Sequence, residues 1–399
     1  MSQWKETEIG RIPNDWNLGI FNQDLTVKGR IGWKGYKTSD LVESGPFVLG
    51  GTEIKSSIFL DLSNAQHLSR EKYDESPDII LKDGDILLVT RGNLGEVGYY
   101  WSQYGEATIN PSVVILNNFV GDSKFLFYYL ISKQGKGNIL SLAGGSSVPA
   151  IYQADLKKIK YPKPPLYEQK KIAEVVFSID DKIDLLNRQN KTLEQLAETL
   201  FRQWFVGEAD ESWVVGTLED EFDFTMGQSP PGDSYNEIGD GIIFFQGRTD
   251  FDFRFPKTRM FTSQPSRYAK PFDTLVSVRA PVGDMNMAYT DCCIGRGLSA
   301  FRYRHNSTFY SYAYYKLRSL MQQIKQFEDN GTVFGSITKD DFSRLKNIIP
   351  TIELINNFQS KVKPVDEKIF SNYNQIRTLT QLRDTLLPKL MSGEVRVTK

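Results

Sequence analysis

The stretch from Gln189 to Leu200, with the sequence QNKTLEQLAETL, reveals the organisation of this chain of 399 residues. A second copy, QIRTLTQLRDTL, lies 186 positions further on, from Gln375 to Leu386. Seven of the twelve aligned positions are identical without a gap, which is far more than unrelated segments share. A repeat period of nearly half the chain indicates an internal duplication rather than a solenoid of short repeats.

Both copies lie within long segments whose apolar residues recur at alternating steps of four and three. This heptad pattern predicts one coiled-coil helix from about Tyr167 to Phe205 and a second from about Glu353 to Leu387. Pro364 predicts a kink in the second helix, and Pro388 predicts its end.

A seam of mostly apolar residues is expected along each predicted helix. Asn190 is its strongly polar member in the first helix, and such a residue often fixes the register of two helices at some cost in stability. The predicted seam consists of Ile183, Leu186, Asn190 and Leu193 in the first helix and Ile369, Ile376 and Leu379 in the second.

The duplication also reaches into the segments that precede the helices. The same offset pairs Asp180 with Asp366, and the strand-like segment 84–92 matches 272–280. We therefore predict an α+β fold with two globular mixed α/β domains, two long antiparallel coiled-coil helices and an approximate internal two-fold repeat. The predicted segments are a first globular domain at 1–165, a central helix at 166–207, a second globular domain at 208–351, and a C-terminal helix and tail at 352–399.

An object with approximate two-fold symmetry suits a partner that is read at two separate places. Duplex DNA is such a partner, because half-sites about one helical turn (~34 Å) apart present equivalent faces. Two domains that differ in sequence would then read two different half-sites.

The overall composition narrows the class of protein. The formal net charge is −1, so no global field points to a polyanionic partner. Cys292 and Cys293 are the only cysteines, and their adjacency favours a reducing compartment over a disulfide framework. The sequence shows no signal-peptide pattern and no apolar run of ~18 residues, so we expect a cytoplasmic protein with no membrane partner.

Charge is distributed unevenly along the second globular domain. Residues 207–241 contain ten acidic residues and no Lys or Arg, whereas residues 248–304 contain ten basic residues against five Asp. The basic stretch is the part of the domain best suited to contact a phosphate backbone. The acidic stretch is better explained as a solvated segment that an anionic partner would repel outward.

The motifs of DNA-modifying catalysis are not evident. Asn110-Pro111-Ser112-Val113 lacks the second proline and the aromatic residue of an adenine methyltransferase box, so an ordinary turn explains it better. We find no glycine-rich strand–turn–helix for S-adenosylmethionine and no P-loop pattern. His67 and His305 are isolated, so we predict neither a metal site nor a catalytic residue in this chain.

Loops that combine basic, aromatic and small polar residues are the candidates for contact with DNA. Arg91 and Arg279 follow matched strands, and they either face DNA or pair with the nearby Asp85 and Asp273. For the other loops, plain solvated surface remains the alternative. The predicted DNA contacts are Lys34, Tyr36, Lys37, Arg91, Asn93 and Ser146 in the first domain, and Arg248, Arg254, Lys257, Arg259, Arg279, Arg296 and Thr332 in the second.

With these features, the chain resembles the specificity subunits of type I restriction–modification systems over essentially its whole length. In the second domain, the resemblance is to one type of target recognition domain, whereas the first domain matches only in framework, through GDILLVTRGNLGEVG at 84–98. The most specific segments are PLYEQKKI at 165–172, LAETLFRQWFV at 196–206, MGQSPPGDSY at 226–235, IIFFQGRTDF at 242–251, VSVRAPVGD at 276–284, CCIGRGLSA at 292–300 and LRDTLLPKLMSGEVRV at 382–397.

The resemblance implies a non-catalytic chain with two target recognition domains held apart by two helical spacers. It implies a bipartite DNA target with a nonspecific gap, methylated on adenine. It further implies two methyltransferase subunits as partners, with restriction subunits joining the larger complex. S-adenosylmethionine, and ATP with Mg for restriction, are then expected on those partners, with no cofactor in this chain.

Two other classes of function remain as alternatives. A self-sufficient DNA methyltransferase or nuclease would need the catalytic and cofactor motifs that we do not find. A coiled-coil scaffold that binds only proteins would not need the basic stretch at 248–304.

Overall fold

A computed structural model describes residues 4–30, 35–144, 149–210, 213–330 and 336–397. The chain forms two compact units, one of Met1–Leu186 with Gln375–Lys399 and one of Asn187–Asn374. Each unit therefore contains one globular domain together with part of each long helix. The boundaries predicted above treat each helix as a separate segment. In the structure, the boundary between the compact units falls within each helix, so one part of the helix belongs to each unit.

The first unit is built mainly from short strands, and a long helix leads out of it. Its strands are β1 (Trp4–Thr7), β2 (Gly10–Pro13), β3 (Asn17–Ile20), β4 (Thr26–Gly29), β5 (Leu41–Leu49), β6 (Gln66–Leu68), β7 (Ile86–Val89), β8 (Val97–Tyr99), β9 (Ala107–Ile109), β10 (Val113–Asn117) and β11 (Lys160–Lys163). Its helices are α1 (Phe21–Asp24), α2 (Arg70–Asp74), α3 (Ser123–Ile131), α4 (Lys133–Leu140), α5 (Gln153–Leu156) and the long α6 (Leu166–Arg202), which continues into the second unit.

The second unit has a comparable set of elements. Its strands are β12 (Val214–Thr217), β13 (Phe222–Met226), β14 (Tyr235–Asn236), β15 (Ile242–Phe245), β16 (Phe261–Thr262), β17 (Tyr268–Ala269), β18 (Thr274–Ser277), β19 (Met285–Met287), β20 (Cys292–Ile294), β21 (Leu298–Tyr303) and β22 (Lys346–Ile349). Its helices are α7 (Leu218–Glu221), α8 (Tyr310–Ser319), α9 (Met321–Asn330), α10 (Lys339–Arg344) and the long α11 (Ile352–Ser392), which returns to the first unit.

The two globular domains share the topology of their four-stranded sheet. Each has a four-stranded sheet in the same order, β4-β10-β7-β8 in the first and β13-β21-β18-β19 in the second. Each also has one parallel pair, β5 with β9 and β15 with β20. In each, an antiparallel pair, β3 with β11 or β12 with β22, directly precedes the long helix. The α+β fold class is therefore confirmed, and the duplication extends through both domains.

The long helices differ from the sequence prediction mainly at their ends. A π-helical turn at Gln203–Gly207 follows α6. Helix α11 is 41 residues long and contains both Pro364 and Pro388. The prediction that Pro388 ends the helix is therefore wrong. Burial explains the continuation, because Leu390 and Met391 belong to the core of the first unit. Gly393, with a left-handed φ of 76°, follows the last helical turn, as is common at the end of a helix. The predicted kink at Pro364 stays a prediction.

Within each unit, the parts of α6 and α11 run antiparallel. In the first unit, Arg383 of α11 donates to Asp180 of α6 at 2.8 Å, and Arg396 donates to Glu168 at the start of α6 at 2.6 Å. Of the seven seam positions, Leu186, Asn190 and Ile369 are buried, and the other four are half-buried.

A buried pair of amides marks the seam in the second unit. The Nδ2 atom of Asn372 donates to Oδ1 of Asn190 and to Oε1 of Gln189, both at 2.8 Å. Asn190 and Asn372 are almost fully buried, so neither side chain can exchange this bond for water. Neighbouring seam positions are apolar, and a slip of register would leave the amides buried without partners, which is costly.

We expect the substitution Asn372→Ala to lower the free energy of unfolding by about 1–3 kcal/mol, because Oδ1 of Asn190 loses its buried donor. The matched control is the double substitution Asn190→Leu with Asn372→Leu, which replaces both amides by apolar groups and is expected to be close to neutral. Denaturant titration measures both. Equal stability of Asn372→Ala and the unsubstituted protein would show that the amide pair contributes nothing.

Candidate nucleic-acid interface

Several strands of the second unit end at one edge of its sheets. Strands β15 and β20 are parallel, so their carboxyl ends lie on the same side, and the N–H of Gly295 donates to the carbonyl oxygen of Phe245 at 2.8 Å. Strand β18 ends beside them, since the N–H of Val278 donates to the carbonyl oxygen of Gly297 at 2.9 Å. We call residues 246–248, 278–279 and 295–297 the strand-end edge of the second unit.

The first unit repeats this arrangement bond for bond. The N–H of Asn110 donates to the carbonyl oxygen of Leu49 at 2.9 Å, and the N–H of Thr90 donates to that of Ser112 at 2.7 Å. We call residues 50–53, 90–91 and 110–112 the strand-end edge of the first unit. Asn110-Pro111-Ser112 is a turn here, in which Oδ1 of Asn110 accepts from the N–H of Ser112 at 2.8 Å.

Matched turns present Arg91 and Arg279 at these edges. In each copy, a glycine with left-handed φ closes the turn by donating back to the end of the strand at 3.0 Å, from Gly95 to Val89 and from Gly283 to Ser277. Only glycine adopts this backbone conformation without strain. The side chains of both arginines are exposed.

The two arginines are not paired with the neighbouring aspartates. Asp85 accepts the N–H of Lys82 at 2.8 Å, and Asp273 accepts the N–H of Lys270 at 2.7 Å and pairs with Arg302. Burial raises the pKa of Asp85 to about 6 and also raises that of Asp273, as expected for carboxylates enclosed in a turn. Within the described ranges, no carboxylate lies at ion-pair distance from Arg91 or Arg279, so these guanidinium groups remain available to a ligand.

The structure corrects the prediction for Arg254. Its side chain is only 1% exposed, and it forms ion pairs with Asp366 at 2.6 Å and with Glu194 at 3.5 Å. The guanidinium carbon also lies 3.4 Å from the centre of the Tyr314 ring. Arg254 therefore cannot reach a phosphate in this conformation, and it ties the second domain to α6 and α11 within the second unit.

The other basic residues predicted around Arg254 lie at the surface, each beside an aspartate. Arg248 pairs with Asp284 at 2.7 Å, Lys257 pairs with Asp252 at 3.0 Å, and Arg259 pairs with the buried Asp250. These pairs reduce the positive charge that the loop offers, so a phosphate would have to compete with the carboxylates.

The predicted contacts of the first domain differ in their exposure to solvent. Tyr36 is half-buried, with the guanidinium carbon of Arg30 at 5.6 Å from its ring centre, whereas Lys37 is exposed. Asn93 is exposed in the turn that follows Arg91. The predicted contacts that lie outside the described residues are Lys34, Ser146 and Thr332.

Two exposed amides were missed by the sequence analysis. Gln246 directly follows β15, and Gln228 lies two residues beyond β13, where its N–H donates to the carbonyl oxygen of Ile294 at 3.0 Å. Arg296 is also exposed, on the turn that follows β20. The signal that points to these amides is their position just after a strand, rather than their residue type.

Other kinds of site are not evident in the described ranges. No group of three or more His, Cys, Asp or Glu residues among them is arranged to hold a metal ion. Nor does any helix there combine the length and apolar character needed to cross a bilayer.

Comparison with known proteins points to one family. The family model for the type I restriction modification DNA specificity domain matches residues 31–195. The chain is 28% identical to the MjaX specificity subunit of Methanocaldococcus jannaschii, with 99% of this chain and 97% of the relative aligned. It is 22% identical to the type I restriction enzyme HindI specificity subunit of Haemophilus influenzae, over 99% of this chain and all of the relative.

A solved structure supports the same fold. The crystal structure of a type I restriction–modification S subunit from M. genitalium superposes with a TM-score of 0.63. The superposition covers 96% of this chain and 97% of the S subunit from M. genitalium, and the two sequences are 18% identical.

The burial of Arg254 generates a stability prediction. We expect Arg254→Met to lower the free energy of unfolding by about 3–5 kcal/mol, because Asp366 would be left buried without its cation. The matched control is Lys257→Met, whose exposed ion pair should contribute less than about 1 kcal/mol. Denaturant titration of both variants measures their free energies of unfolding. A small loss for Arg254→Met, equal to that of the control, would contradict the structural role.

Proposed function

The chain belongs to the family of type I restriction–modification DNA specificity subunits, and we propose that it reads a bipartite DNA target at which partner subunits methylate adenine. Subunits of this family are non-catalytic and carry no cofactor, so the chain recognises the DNA target and catalysis belongs to its partners.

The observation that carries the proposal is the pair of matched strand-end edges. Each presents an exposed arginine, Arg91 or Arg279, from the same turn, with no carboxylate partner in the part of the chain that the structure describes. An arginine so placed suits either a phosphate oxygen or the O6 and N7 acceptors of guanine. One such edge would be ambiguous, but its recurrence in both units supports a ligand that is contacted twice.

The side chains at the two edges support two different half-sites. The first edge has Gly50 and Pro111 where the second has Gln246 and Arg296, although the backbone hydrogen bonds correspond. Because base recognition depends on side chains and not on the backbone frame, the two domains would recognise different bases. We assign α6 and α11 the role of spacers, and the 37 residues of α6 alone correspond to ~55 Å.

The proposal extends to the partners. A duplicated chain offers equivalent surfaces twice, which suits two methyltransferase subunits, and restriction subunits would join them in a larger complex. S-adenosylmethionine, and ATP with Mg for restriction, would be bound by these partners. We further propose that the chain acts in the cytoplasm, together with these partners.

A coiled-coil scaffold that binds only proteins is less well supported. Such a scaffold would not need an exposed arginine at the matched position of both strand-end edges. A self-sufficient methyltransferase would require a cofactor site, which the family assigns to a different subunit.

We expect Arg279→Ala to weaken DNA binding and to reduce the slope of log affinity against log salt concentration by about 0.9, if it contacts one phosphate. Arg304→Ala is the matched control, because Arg304 is exposed at the opposite end of β21 and pairs with Asp223 at 2.9 Å. Fluorescence anisotropy over a salt series measures both slopes. A slope that Arg279→Ala and Arg304→Ala change equally would remove Arg279 from the interface.

We also expect the purified chain to transfer no methyl group from S-adenosylmethionine to DNA until a methyltransferase partner is added. The readout is incorporation of labelled methyl groups into adenine, with a chain-free sample of the partner as the control. Robust methylation by the chain alone would contradict its role as a specificity subunit.

A further inference from the structure

Three exposed side chains of the second unit belong to chain segments that meet at its strand-end edge. They are Gln228, Gln246 and Arg296, and we call them the amide–guanidinium set. Among the residues that the structure describes, none of the three side chains has a hydrogen-bond or ion-pair partner. Two amides and one guanidinium are therefore presented to solvent together, although each has strong hydrogen-bonding capacity.

The backbone beneath this set is closely packed. A Cβ atom added to Gly295 or Gly297 would lie 3.0 or 2.9 Å from the carbonyl oxygen of Gln246. A Cβ atom added to Gly227 would lie 2.1 Å from the carbonyl oxygen of Gly295. The three segments thus meet backbone to backbone, and only glycine permits such an approach.

Backbone hydrogen bonds further fix the positions of two of the three residues. The N–H of Gln246 donates to the buried carboxylate of Asp250 at 2.7 Å, and the N–H of Arg296 donates to Oγ of Ser229 at 3.3 Å. The side chains consequently extend from a pre-organised frame rather than from a free loop. Such a frame is what selective recognition needs, because it limits the geometries that each side chain can adopt.

The chemistry of the set matches the edges of DNA bases. Glutamine pairs in two-pronged fashion with N6 and N7 of adenine, and arginine does so with O6 and N7 of guanine. Phosphates carry no sequence information and need cations rather than amides. Arg279 already supplies a cation without a carboxylate partner at this edge, so the amides require a different explanation.

We propose that Gln228, Gln246 and Arg296 determine the base sequence of the half-site read by the second unit, with Arg296 on a guanine. The proposal rests on the proposed function and adds the residues that specify the sequence. In the first unit, Gly50 and Pro111 occupy the positions of Gln246 and Arg296, so that unit reads its half-site with other side chains.

The test uses the full chain in complex with its methyltransferase partner. Methylated adenines are mapped by sequencing a randomised DNA library treated with the unsubstituted complex, with Arg296→Lys, and with Arg304→Lys as the matched control at the opposite end of β21. Lysine keeps the charge but loses the planar fork. Thermal melting of each complex confirms that the variants are folded.

The unsubstituted complex should require a guanine at one position of one half-site. Arg296→Lys should reduce discrimination at that guanine by roughly tenfold or more, leaving the gap and the other half-site unchanged. Arg304→Lys should retain the original motif. A half-site without a required guanine, or an identical motif for Arg296→Lys, would overturn the inference.

The outcomes separate this inference from the proposed function. If the unsubstituted complex methylates no bipartite motif, the proposed function fails. If it does so and Arg296→Lys has the same motif, only the assignment of the amide–guanidinium set fails. If this edge binds the methyltransferase subunit rather than DNA, Arg296→Lys should fail to form the complex with that subunit. This result would also overturn the inference.

Discussion

The buried guanidinium of Arg254 is the interaction on which the second unit depends most. It lies between Glu194 of α6 and Asp366 of α11, and so it joins both helices to the globular domain of that unit. Burial lowers the pKa of Arg254, but the Asp366 carboxylate, the two neighbouring tyrosines and Glu194 together outweigh it, and the pKa is raised. Arg254 also has a left-handed φ of 64°, an uncommon conformation for a non-glycine residue that the surrounding contacts must stabilise. Removing Arg254 would leave the buried carboxylate of Asp366 without its cation.

The first unit has a related solution with a different arginine. Asp180, which the repeat aligns with Asp366, accepts from Tyr128 at 3.0 Å and pairs with Arg383 of α11 at 2.8 Å. Asp366 likewise faces a tyrosine, Tyr315, at 3.4 Å. The carboxylate and the tyrosine are thus retained in both copies, while the cation comes from a helix in one and from a loop in the other. Both copies therefore pair the buried aspartate with an arginine, but the arginine comes from a different position in each copy.

The fold was predictable from the sequence to the extent that its signals are local or repeated. The heptads and the 186-residue offset predicted two long helices and two related domains. Arg254 could not be assigned, because in sequence it resembles Lys257 and Arg259, and only the tertiary fold brings it to Asp366, 112 residues away. The prediction that Pro388 ends α11 failed for a similar reason. The burial of the turn that follows Pro388 outweighs the local tendency of proline to end a helix. Gln246 was overlooked because an amide after a strand has no compositional signature.

The chain uses one backbone frame twice and fits it with different side chains. We propose that the two units read two half-sites and that α6 and α11 set the separation between these half-sites. The most direct test inserts one heptad into both helices, between Leu186 and Asn187 and between Asn374 and Gln375, where the units divide. Seven residues add about 10 Å of helix, or about three base pairs at 3.4 Å each. Mapping the methylated adenines should then show both half-sites unchanged and the gap longer by about that amount. An unchanged gap, with methylation retained, would contradict the account.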